Sequence, residues 1–172
     1  SQNTWLYPSE QMFYNALKRK NKYDSDISED DLKSIVAIHN GMNEKTWREL
    51  LRWEECIHKE CPTPTLLHFT GRPEDLSLKA CLKRHLLRYP LPFDRHDWVV
   101  ERCGQQKQRS AVDMYYQENL DKEAKVRIGF IESRRILIDV RPALDDWRSG
   151  YDRVKFFFTE RYNKFFGNKS SQ

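Results

Sequence analysis

The stretch Pro90-Leu91-Pro92-Phe93-Asp94-Arg95-His96-Asp97-Trp98-Val99-Val100-Glu101 decides the fold. Upstream of it, apolar residues recur at helical spacing. Beyond Phe93 the period changes to two, and Trp98 to Glu101, Ala111 to Tyr116, Val126 to Phe130 and Ile136 to Val140 predict strands of an antiparallel sheet. Pro142 then predicts the start of a long helix, with Asp145 and Asp146 in its first turn.

Upstream, Pro8-Ser9-Glu10 opens a helix with the apolar face Met12, Phe13, Ala16 and Leu17, ending in Lys18-Arg19-Lys20. Ser28 and Asp31 make a capping box, with Ile27 and Leu32 at the staple positions. The helix that follows carries Leu32, Ile35, Val36 and His39 on one face and is expected to close at Asn40-Gly41. Asn43 caps the next, with a stripe of Trp47, Leu50, Leu51, Trp53 and Ile57, and Cys61-Pro62-Thr63-Pro64 ends it. Residues 77–88 predict a short basic helix with Leu78, Cys81, Leu82 and Leu86 inside. In the last helix a stripe from Leu144 through Trp147, Tyr151, Val154, Phe158 and Tyr162 to Phe165 is expected to face the core. The class is α+β: one domain over residues 1–172, with about five helices packed on a small antiparallel sheet. Its helical part covers about 5–60, its sheet about 97–141 and its C-terminal helix about 142–166.

Composition narrows the function classes. Of 172 residues, 33% are charged and 38% hydrophobic, yet 13% are aromatic, which argues for a folded chain. No apolar run reaches the ~18 residues of a membrane span, and Ser1-Gln2-Asn3-Thr4-Trp5 does not read as a signal peptide. The six glycines are too scattered for a phosphate-binding loop or a dinucleotide fingerprint. A net charge of +4, from 30 basic and 26 acidic residues, suits an anionic ligand or surface; no nucleic-acid partner is expected.

Cys56, His58, Cys61 and His68 invite a zinc reading, but on a helix residues 56 and 58 diverge by ~200°, so Cys56, Cys61, Cys81 and Cys103 are read as free thiols. His39 is a candidate iron ligand, because an apolar wall around a neutral imidazole can bury a porphyrin; a core histidine is the plainer alternative. Glu44 and Trp47 could wall the same cleft. His96, flanked by carboxylates, could act as a general base or simply sit in a charged turn. Arg141 could grip a ligand carboxylate in bidentate fashion or pair within the protein.

The residues also carry a resemblance. Trp5-Leu6-Tyr7-Pro8-Ser9-Glu10-Gln11-Met12-Phe13-Tyr14-Asn15-Ala16, Ile38-His39-Asn40 with Asn43, Glu44 and Trp47, Pro92 to Trp98 with Arg102-Cys103-Gly104, and Asp139-Val140-Arg141-Pro142-Ala143-Leu144-Asp145 resemble, in order, four motifs of the holocytochrome c synthases, or cytochrome c haem lyases. The resemblance implies a lyase that joins haem b, as ferrous co-substrate, to apocytochrome c. The two thiols of a Cys-x-x-Cys-His segment add to the haem vinyls, and the substrate's N-terminal region is also recognised.

By the same resemblance His39 is an axial iron ligand and His96 is not. Trp5, Tyr7 and Glu44 belong to the haem region, and Arg102 holds a position that tolerates change poorly. Trp47 is expected on the ring, and Arg95, Arg102 or Arg141 at the propionates. Location in the mitochondrial intermembrane space, peripheral on the inner membrane, is implied too. Phe156, Phe157 and Phe166, interleaved with Arg153, Lys155, Arg161 and Lys164, are the expected membrane contact, unless they pack under the N-terminal helix. The competing reading is a non-catalytic haem-binding or haem-delivery module.

Overall fold

The computed structural model describes residues 9–19, 28–104, 106–116 and 136–166. Four helices and four strands are described: α1 (Glu10–Arg19), α2 (Glu29–Ile57), β1 (Thr65–Gly71), α3 (Leu78–Leu87), β2 (Asp94–Arg102), β3 (Gln106–Tyr116), β4 (Ile136–Pro142) and α4 (Trp147–Phe166). The class is α+β as expected, with four helices among the described residues where about five were predicted. The expected strand Val126 to Phe130 lies outside the described residues. No described helix is long and apolar enough to cross a membrane.

The chain groups into two compact units, one within residues 1–45 and 117–136, the other within 46–116 and 137–172. In the first, Ser9 caps α1 by accepting from the Met12 amide at 3.3 Å. The capping box of α2 forms as predicted: Ser28 Oγ accepts from the Asp31 amide at 3.1 Å, and Asp31 Oδ2 accepts from the Ser28 amide at 3.1 Å. The expected break at Asn40-Gly41 does not occur, because α2 runs unbroken through both. A helical glycine costs only ~1 kcal/mol, less than the buried Val36 and Met42 on either side contribute.

The second unit holds the sheet, in the order β1-β2-β3-β4, with β2 antiparallel to both β1 and β3. Trp98, Val100, Val112 and Met114 are each at most 1% exposed and form its core with Leu50. Among the described residues the sheet has four strands, one of which, β1, was not predicted. Leu66-Leu67-His68-Phe69 lacks clean alternation, and β1 pairs as an edge strand whose register shifts between Leu66 and His68.

Both later helices are turned over relative to expectation. In α3 the buried residue is Ala80, while Leu78, Leu82 and Leu86 are exposed. Pro142 ends β4 instead of opening a helix; α4 starts at Trp147, and Asp146 caps it by accepting from the Ser149 amide at 2.8 Å. Its buried face is Ser149, Asp152 and Phe156, and the whole stripe from Leu144 to Phe165 points outward. Polar partners explain the choice. Asp152 meets His58 Nε2 at 2.9 Å, Lys155 donates to the Ile57 carbonyl at 3.1 Å, and Phe156 stacks on Trp53 with centroids 3.7 Å apart. Phe156 is therefore no membrane contact, whereas Phe157 is exposed.

Cys61 and Cys103 form a disulfide, contrary to the free-thiol expectation; Cys56 and Cys81 are free. The chain end of α2 and the β2–β3 turn bring together two cysteines 42 residues apart, which spacing alone does not show. In that turn Gly104 sits at φ 72°, where a side chain would be strained.

Candidate functional site

His39 occupies the middle of α2, not a helix end, and is exposed. Leu32 and Val36 take the buried face, and the next residue on that line is the half-buried Asn40. The Phe13 ring of α1 lies beside the imidazole, centroids 5.3 Å apart and tilted by 46°. The first unit thus offers a reachable imidazole with an aromatic neighbour. Glu44 is exposed and, ~140° around the helix, does not share the face of His39. Trp47, half-buried, falls in the second unit. Trp5 and Tyr7 lie outside the described residues.

The arginines expected at the propionates are all in the second unit, and each has a partner inside the fold. Arg102, on β2, grips Glu54 of α2 with Nε and a terminal nitrogen at 2.6 and 2.9 Å. Both side chains are buried, at 7% and 3% exposure. Arg141, on β4, donates to Asp113 at 2.5 Å and to Ser77 Oγ at 2.6 Å. Ser77 in turn donates to Asp113 at 2.5 Å and accepts from the Ala80 amide at 3.1 Å, so the network pins the start of α3 to the sheet. Arg95 reaches Asp97 at 3.1 Å and the Asp75 carbonyl at 3.2 Å.

Asp97 is the hub of a second cluster, with Arg72 at 3.1 Å and Arg109 at 2.6 Å besides Arg95. Burial pushes its carboxyl up, but the hydrogen bonds of Arg72 and Arg109 and the charge of Arg95 outweigh burial and hold it below the ordinary value of 3.8. Burial lowers the His96 pKa against the pull of Asp94, 3.2 Å from its Nε2, and Asp97. Burial, then Asp113 and Asp139, push the Tyr115 phenol up to about 12. The sequence reading missed Glu54 and Asp113. Glu54 had a signal, because Thr46, Leu50 and Glu54 fall four apart on one buried line of α2.

Residues 1–157 match the sequence profile of the cytochrome c/c1 heme lyase family. The chain belongs to this family. The holocytochrome c-type synthase of Homo sapiens is 42% identical over 158 residues, which is 90% of this chain and 55% of that protein. A probable holocytochrome-c-type synthase of Caenorhabditis elegans is 40% identical over 153 residues, 88% of this chain and 52% of that protein. The holocytochrome-c synthase of Saccharomyces cerevisiae is 37% identical over 175 residues, 91% and 62%. The chain spans about half the length of the curated relatives it matches. No solved structure matches it. Within the family match fall all the site residues named above, from Trp5 to Arg141.

Proposed function

We propose that this heme lyase family member attaches haem covalently to apocytochrome c in the mitochondrial intermembrane space. The observation that carries the reading is the family match over residues 1–157, which spans His39 on an exposed turn of α2. Haem is the co-substrate. Each thiol of the Cys-x-x-Cys-His segment adds across a vinyl double bond: a carbon–sulfur bond forms and the proton ends on the neighbouring carbon. Neither reactant is activated by the other, so the chain's contribution is positioning, which can be worth ~7–11 kcal/mol. His39 takes one axial position of ferrous haem and Phe13 flanks its imidazole. The substrate's histidine takes the other position, which sets both thiols against the vinyls.

Trp5, Tyr7 and Trp47 pack on the ring, and Glu44 serves the same region. Arg95, Arg102 or Arg141 meets the propionates. Contact with the inner membrane is peripheral and uses the outward stripe of α4, where Trp147, Phe158, Tyr162 and Phe165 stand exposed beside Arg148, Arg161 and Lys164.

Co-expression with apocytochrome c, in a host lacking haem-attachment machinery, tests the reading. Haem should stay with the cytochrome through acid denaturation. Haem that binds the chain but is always extracted from the cytochrome would favour the delivery reading. In haem titration, His39→Ala should lose the low-spin Soret band and His96→Ala should keep it; the reverse would reassign the ligand.

A further inference from the structure

We propose that the cleft between α3, the sheet and the loop into α4 binds a linear acyl-chain carboxylate, an anion of the fatty-acid class. The cleft has a volume of about 630 Å³ and lies wholly within the second unit. Such a volume is typical of small-molecule sites. One wall is a row of leucines on α3, Leu78, Leu82 and Leu86, exposed by 68%, 51% and 74%. Spaced four apart, they make an apolar strip ~12 Å long, which fits an extended chain better than a disc. Leu76 and Leu144 continue the apolar lining.

The charges around this strip are unbalanced. Lys79 is paired with Asp139, Arg95 and Arg109 with Asp97, and Arg141 with Asp113. Two lining cations have no carboxylate partner among the described residues. Lys83 lies over the rings of Tyr89 and Tyr115, at 4.7 and 5.6 Å. Arg153 donates only to the Pro142 carbonyl, at 2.9 and 2.6 Å. Burial and the nearby Arg141 pull its pKa below the ordinary guanidinium value and outweigh the opposing charges of Asp139 and Asp113, so its charge gains from an anion. An apolar strip edged by two cations that make no direct ion pair among the described residues is complementary to an apolar tail with one anionic head. The cleft contains neither His39 nor Phe13. Arg95 and Arg141, two of the propionate candidates, line it but are closed on Asp97 and Asp113, so the acyl carboxylate is assigned to Lys83 and Arg153 instead.

Calorimetric titration of decanoate, below its micelle concentration, into the full chain tests this. Saturable one-to-one binding is expected. Leu82→Glu, Lys83→Gln and Arg153→Gln should each weaken it at least tenfold, and uncharged decanol should bind at least tenfold more weakly. The far-ultraviolet spectrum of each variant reports folding, and Lys83→Gln alone decides should Arg153→Gln unfold. Decanoate should leave the haem spectrum that depends on His39 unchanged. Affinity untouched by these substitutions, or equal affinity for decanol, overturns the proposal. Competition by haemin would make the cleft a porphyrin seat. Binding only to vesicles of anionic phospholipid would make it a bilayer surface, and self-association abolished by Leu82→Glu an interface between copies; each of these three also overturns it.

Discussion

α2 and α4 carry the same kind of stripe and use it in opposite ways. Over Thr46 to Ile57, α2 buries Leu50 and Ile57 where the periodicity puts them, with Glu54 on the same buried line. α4 repeats large apolar residues from Trp147 to Phe165 just as regularly, yet exposes them and buries Ser149, Asp152 and Phe156. What differs is the supply of polar partners. His58, the Ile57 carbonyl and Trp53 already stand at the end of α2, and each finds a mate on the less apolar face of α4. A hydrophobic stripe states how much apolar area a helix has to place; which side is covered depends on what the neighbouring element presents.

The largest expected effect comes from the disulfide. Cys103→Ser, which opens a loop 42 residues long, should cost ~3–4 kcal/mol under oxidising conditions and nothing further once reductant is added. On the α2 side of the contrast, Glu54→Ala removes both close hydrogen bonds of the buried Arg102 guanidinium, leaving Asp152 at 3.8 Å, and should lower stability by ~3 kcal/mol in urea denaturation. A loss below ~1 kcal/mol would show that the pair is not buried. On α4, Phe156→Ala should cost ~3 kcal/mol, and Phe158→Ala within ~0.5 kcal/mol, as expected of an exposed position. Equal losses for the two would put the outward stripe back in the core and erase the contrast.

Much of the fold was readable without coordinates, and the misses share a cause. Ser28 and Asp31 announce the start of α2 because a cap is a local interaction. Trp98 to Glu101 and Ala111 to Tyr116 announce strands because alternation is local too. The fusion of two predicted helices across Gly41, the burial of Ala80 in place of Leu82, and the Cys61–Cys103 bond depend on partners distant in sequence. At the site, charge alone pointed to Arg95, Arg102 and Arg141, but not to the carboxylates that hold them. His39 was reached through its motif, and among the described residues Phe13 lies beside its ring.

The smallest expected effect concerns acid. The Asp97 carboxyl is held below its ordinary value in the folded chain, so its contribution is complete above about pH 3.8 and is lost as pH falls through the lower folded value. Acid titration of stability should show this loss, and Asp97→Asn should flatten that part of the curve while lowering stability at neutral pH. The hub of three arginines is contradicted if the variant keeps the wild-type acid slope.

The central claim is covalent attachment directed by His39, and the intact mass of the co-expressed cytochrome tests it most directly. With the unaltered chain, the denatured cytochrome should carry the added mass of one haem on its Cys-x-x-Cys-His segment. With His39→Ala it should be recovered almost entirely as the apoprotein, and with His96→Ala mostly as the haem adduct. Adduct formed equally well with His39→Ala, at matched expression of folded chain, would contradict the account.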